Sequence, residues 1–120
     1  MSQVAIKKIS INDKWILSNA VVDFMSGKKA EYESSHLRGT LKDLSIAMEL
    51  YDTVTKSLHS PKIWAMSEME RTKKNKKLSM KVYAALVMSE AINGFMDKTD
   101  NDFILSRCRD ILDQLERKFI

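Results

Sequence analysis

The sequence predicts an all-α, single-domain bundle of five to six short helices packed around one apolar helix at about residues 78–96. Three observations predict it. Residues 78–96, LSMKVYAALVMSEAINGFM, form the segment that is apolar on nearly every side. The rest of the chain is amphipathic at steps of three and four. Finally, three Gly and one Pro in 120 residues leave little material for the turns of a β architecture.

Within the central segment Leu78, Val82, Ala85 and Ile92 recur at helical spacing, with Tyr83, Leu86, Val87 and Met88 on the flanks. A helix of that length is a rod of roughly 28 Å, about the diameter of a domain this size. Its large apolar side chains are worth roughly 1.5–3 kcal/mol each when fully buried, so other helices are expected to sheathe it. The unbroken apolar run within it, residues 82–88, falls far short of the about 18 residues a membrane span needs, so no membrane partner is expected.

Taken in order, residues 1–11 alternate weakly through Val4 and Ile6, and with no second strand in view they read as a flexible arm. Asn12 can cap a helix over 13–26 carrying Trp15, Ile16, Val22, Phe24 and Met25, with Gly27 where a helix normally stops. Residues 28–38 offer only Tyr32 and Leu37 as large apolar groups, which makes a short, marginal helix before Gly39. Thr40 opens the cleanest amphipathic element, with Asp43 in capping-box position and a stripe of Leu41, Leu44, Met48, Tyr51, Thr55 and Leu58, ending near His59. Ser60 and Pro61 then form an N-cap and first-turn pair for the next helix.

Residues 70–77 hold nothing to bury, and a break near Asn75 is expected, the competing form being one bent helix over 61–96. After a polar turn the chain ends in a helix striped by Ile104, Cys108, Ile111, Leu115 and Phe119, capped by Thr99 or Asp100. Residues 1–120 thus read as one helical domain.

Charge is unevenly placed. The formal net charge is +4, and the run RTKKNKK at 71–77 takes five of the 20 basic residues, leaving 15 against 16 acids elsewhere. Arg71, Lys73, Lys74, Lys76 and Lys77 are therefore the candidate anion-binding residues, fitted to nucleic acid or an acidic protein partner. The competing reading is a solvated turn.

Chemistry finds little footing. Glu33 and His36 have the spacing of a carboxylate-bridged di-metal half-site, but the second copy fails because Lys56 precedes His59 by three. The segment DKTDND from Asp97 places oxygen side chains on alternate positions, yet Asp102 and Cys108 stand where a calcium loop needs Gly and Glu. Cys108 lies on an apolar stripe and reads as a small buried hydrophobe rather than a nucleophile. No metal, cofactor or catalytic residue is expected, and the chain reads as non-enzymatic. Cys108 is the single cysteine and no secretory signal opens the sequence, so the expectation is a cytoplasmic protein free of disulfides.

Two functional classes follow. The first is a regulatory or accessory protein that acts by binding through the basic run. The second is a helical chaperone or adaptor that takes a partner helix in a Met-lined apolar groove; of the eight methionines, Met66, Met69, Met80, Met88 and Met96 fall between 61 and 96. Pairing of helices across a homodimer is a third way to use the same faces.

Overall fold

The computed structural model describes residues 3–56, 58, 61–73 and 76–117, the side chain of Lys76 excepted. Among them lie six helices and one two-stranded ribbon, so the mostly helical bundle read from the sequence is the observed architecture.

The chain begins differently from that reading. Residues of the expected arm form strand β1 (Gln3–Ile9), which pairs antiparallel with β2 (Lys76–Lys81). Val4 faces Met80 and Ile6 faces Leu78, all four buried, so apolar cross-strand pairs anchor the ribbon in the core. Neither strand finds its partner nearby in sequence, which is why each looks solitary when read alone.

Ser10 ends β1 and caps α1 (Ile11–Ser35): the Asp13 N–H donates to Ser10 Oγ and the Ser10 N–H to Asp13 Oδ2, both at 3.0 Å. The cap is Ser10, two residues ahead of the expected Asn12. Helix α1 also runs straight through Gly27 and absorbs the segment expected as a separate marginal helix. Lys28, just past that glycine, has its Nζ 3.4–3.9 Å from Glu31, Asp43 and Glu90 on three helices, which ties this weak turn to its neighbours. The helix stops at His36, left-handed at φ 56°, whose N–H donates to the Tyr32 carbonyl at 2.8 Å.

Two residues then reverse the chain into α2 (Arg38–Thr55), which lies along α1. Its buried line is Thr40, Ala47, Leu50 and Val54. Of the stripe expected to face the core, Thr55 and Leu58 are buried, Leu44 and Tyr51 are half-buried, and Leu41 and Met48 are exposed. The helix is thus rolled so that its more apolar stripe faces partly outward.

Short helices α3 (Pro61–Ala65) and α4 (Glu68–Thr72) follow, with Ile63 joining Ile11 and Leu58 in a small second cluster. Pro61 starts α3 as expected; its proposed cap Ser60, like His59, Lys74 and Asn75, lies outside the described residues. Since α4 ends at Thr72 and β2 begins at Lys76, the chain does break after the basic run starts, and one bent helix over 61–96 is excluded.

The central apolar helix is α5 (Val82–Met96), four residues shorter at its start than expected because Leu78–Lys81 belong to β2. Ala84, Ala85, Val87, Met88, Ala91 and Ile92 are buried on it, and it touches α1, α2, α6 and the ribbon. Helix α6 (Asp102–Glu116) closes the bundle with Cys108, Ile111 and Leu115 buried. Its cap is Asn101, whose Oδ1 accepts the Ile104 N–H at 3.0 Å, in place of Thr99 or Asp100. Phe119 is outside the described residues. Met80 and Met88 fill the core, Met66 and Met96 are half-buried, and Met69 stands out at 76 % exposure, so the methionines of 61–96 do not share one groove.

Candidate anion-binding site

The ribbon decides how the basic run is presented. Ile6 pairs with Leu78 and Ile9 with Lys76, so two residues of β1, Lys7 and Lys8, face a single residue of β2, Lys77. That is the count of a β-bulge, in which the extra residue bends the strand and breaks the ladder locally. Steps of two and then three along Val4, Ile6 and Ile9 keep all three buried and throw both intervening lysines outward. Lys7, Lys8 and Lys77 are exposed and have no ion pair among the described residues.

The five residues marked by the sequence divide here. Lys77 belongs to the bulge, and Lys76 is in β2 opposite Ile9. Lys73 caps the C-terminus of α4, exposed, with its N–H donating to the Glu70 carbonyl at 3.3 Å. Lys74 is outside the described residues. Arg71 is used internally: its Nη2 donates to the carbonyls of Ile63 at 3.2 Å and Trp64 at 3.5 Å, which holds α4 against the end of α3. Only Lys73 and Lys77 of the five are therefore seen free on the surface.

Read from the sequence alone, Lys7 and Lys8 belong to the arm. The signal was present in the change of spacing from Val4–Ile6 to Ile6–Ile9, which is what a bulge writes into a strand. Beyond the ribbon, Lys7 lines a shallow cavity of about 200 Å³ with Ala5, Gln114 and Arg117, extending the basic surface to the end of α6, where Arg117 pairs with Asp113. Trp64 stands 72 % exposed on α3, its own carbonyl accepting from Arg71.

The remaining sequence candidates take structural places. His36 ends α1 at the surface with its ring edge-on to Tyr32, and Glu33 is exposed on the last turn of the same helix. Asp97 caps α5, Lys98 pairs with Asp23 at 2.9 Å, and Thr99 and Asn101 accept backbone N–H groups at the start of α6. Cys108 is buried, and that burial pushes its thiol up, with the nearby Asp13 charge adding and the Arg107 charge opposing. A thiol so placed is held protonated and unreactive.

Comparison with protein-family models, with curated proteins and with solved structures finds no match. Among the described residues, no helix is long and apolar enough to cross a membrane.

Proposed function

We propose that this chain is a non-enzymatic accessory protein that binds nucleic acid, its backbone phosphates meeting the bulged end of the β-ribbon. The observation that carries the reading is the convergence of Lys7, Lys8 and Lys77 at one bulge, exposed and without counter-charges among the described residues. Lys73 lies just before β2 on the same stretch of chain, and Lys74 and Lys76 complete the run. Clustered lysines bind phosphate regardless of base sequence, through release of condensed counterions.

Nucleic acid is the partner we choose over an acidic protein, with Trp64 as a platform for a base. Its indole, 72 % exposed on α3, offers a face on which a base stacks, at roughly 1–3 kcal/mol per base. The chain would then hold single strands with little sequence preference, by cations on the backbone and one aromatic platform.

Fluorescence anisotropy tests this, with mixed-sequence single-stranded DNA, RNA, duplex DNA and polyglutamate each titrated at two salt concentrations. Wild type should bind the single strands and weaken steeply with salt. The triple variant Lys7→Gln/Lys8→Gln/Lys77→Gln should flatten the log–log salt slope by about 2, at roughly 0.7 per lost phosphate contact. Binding that the triple variant leaves unchanged, or binding to polyglutamate alone, rejects the proposal.

A further inference from the structure

Helix α2 carries two apolar lines, and only one is fully buried. Ala47, Leu50 and Val54 are turned inward, while Leu41, Leu44 and Met48 lie on the outer side, where Leu41 and Met48 remain 41 % and 58 % exposed. On α1 the same happens: Ile16, Leu17, Ala20 and Val21 are buried, but Trp15 and Val22 are 40 % and 44 % exposed. Between the helices runs a groove of about 330 Å³ lined by Val22, Met25, Ser26, Lys29, Leu44 and Met48. A hairpin with apolar surface on both sides is what one layer of a four-helix arrangement looks like.

We infer that a second copy of this chain covers this face, the two α1–α2 hairpins packing antiparallel about a two-fold axis near Met25 and Met48. The charges select this occupant. Lys29 lines the groove, its neighbour Lys28 reaching Asp43 beside Leu44, and Asp52 is exposed one turn past Met48 on α2, beyond the groove's lining. Neither Lys29 nor Asp52 has an ion pair among the described residues. Eight residues separate Leu44 from Asp52, about 12 Å along the helix. A two-fold axis lying across the hairpin at Met48 carries each Lys29 to the level of the Asp52 of the second copy, where the long lysine side chain reaches across to close two ion pairs around the apolar centre.

A two-fold interface must be complementary to itself, and opposite charges at opposite ends of one apolar strip meet that condition. Methionines at the centre suit it as well, because unbranched thioether side chains adapt where two identical surfaces meet. The inference is independent of the nucleic-acid reading, since the face shares no residue with the bulge.

Sedimentation equilibrium on the full chain tests it. The expected mass at micromolar concentration is twice the 13.8 kDa of one chain. Met48→Asp should raise the dissociation constant about tenfold or more, a change of about 1.4 kcal/mol per factor of ten. Helical circular dichroism should be unaltered, because Met48 is already exposed in the single chain. Lys29→Asp should weaken the dimer likewise, and Lys29→Asp with Asp52→Lys should restore it. A monomeric mass throughout the micromolar range, a mass above the dimer, a dimer indifferent to Met48→Asp, or a charge exchange that fails to restore pairing each overturns the inference.

Discussion

Arg107 on α6 grips Asp13 at the start of α1 with two parallel hydrogen bonds, Nε to Oδ1 at 2.8 Å and Nη2 to Oδ2 at 2.9 Å. Both residues are buried, and Arg107 Nη1 reaches outward to Asp110 at 3.0 Å. Because Asp13 also completes the cap with Ser10, one carboxylate joins the end of β1, the first turn of α1 and the middle of α6. Removing the guanidinium strands a buried carboxylate. Arg107→Met is therefore expected to cost about 3 kcal/mol, read as a lower denaturation midpoint in urea at an unchanged slope.

The same pair sets a pH dependence. Burial by itself pushes the Asp13 carboxyl up, but the Arg107 hydrogen bond, the Ser10 contacts and the guanidinium charge together outweigh it and hold the carboxyl below the usual carboxylate range. A depressed folded-state pKa stabilises the fold above the unfolded value of about 4, and the benefit is lost as pH falls through the depressed value. In Arg107→Met the carboxyl loses its guanidinium and protonates more easily in the folded state. The stability gap between wild type and this variant should thus be widest near neutral pH and narrow below about pH 4. Equilibrium unfolding across that range checks it; a gap that stays constant points to packing alone.

Gly27 yields a prediction of the opposite sign. It sits inside α1, and a Cβ built there meets nothing within 4 Å. Glycine in a helix interior costs roughly 0.5–1 kcal/mol relative to alanine. Gly27→Ala should therefore raise stability by about that amount, measured as an upward shift in thermal midpoint. A loss of stability would mean that α1 is interrupted at this position, as the sequence alone suggested.

What the sequence disclosed followed from how local each signal was. Helix α6 was legible because Cys108, Ile111 and Leu115 lie on one helical stripe and Asn101 stands beside the expected caps. The core of α5 was legible for a similar reason, since no other segment is apolar on so many sides. The ribbon was not. Leu78 and Met80 alternate as a strand does, yet Leu78 is also four residues before Val82, so the helical period swallowed them; their partners Ile6 and Val4 lie about 70 residues away. Gly27 reads as a stop because its penalty is local, whereas two of the three Lys28 contacts that offset it come from α2 and α5. Arg107 shares the helical stripe of Ile104 and Ile111, and a lone cation at core spacing is the mark of a buried ion pair. In the basic run at 71–77, Arg71 serves as an internal strap, and Lys7 and Lys8 stand beside Lys77 only through strand pairing, which no local signal in the sequence carries.

The bulge exists only if β1 and β2 pair in the register that sets Ala5 opposite Ser79. Directly opposed residues of antiparallel strands have Cα atoms about 4.5–5.5 Å apart, within reach of a disulfide. Ala5→Cys/Ser79→Cys, oxidised and examined by peptide mass mapping, should form an intramolecular Cys–Cys link while Cys108 stays reduced in the core. The diagonal control Ala5→Cys/Lys81→Cys, at about 7–8 Å, should remain a dithiol. A protein in which the 5–79 pair stays reduced, or links only between molecules, contradicts the paired ribbon and with it the gathering of Lys7, Lys8 and Lys77.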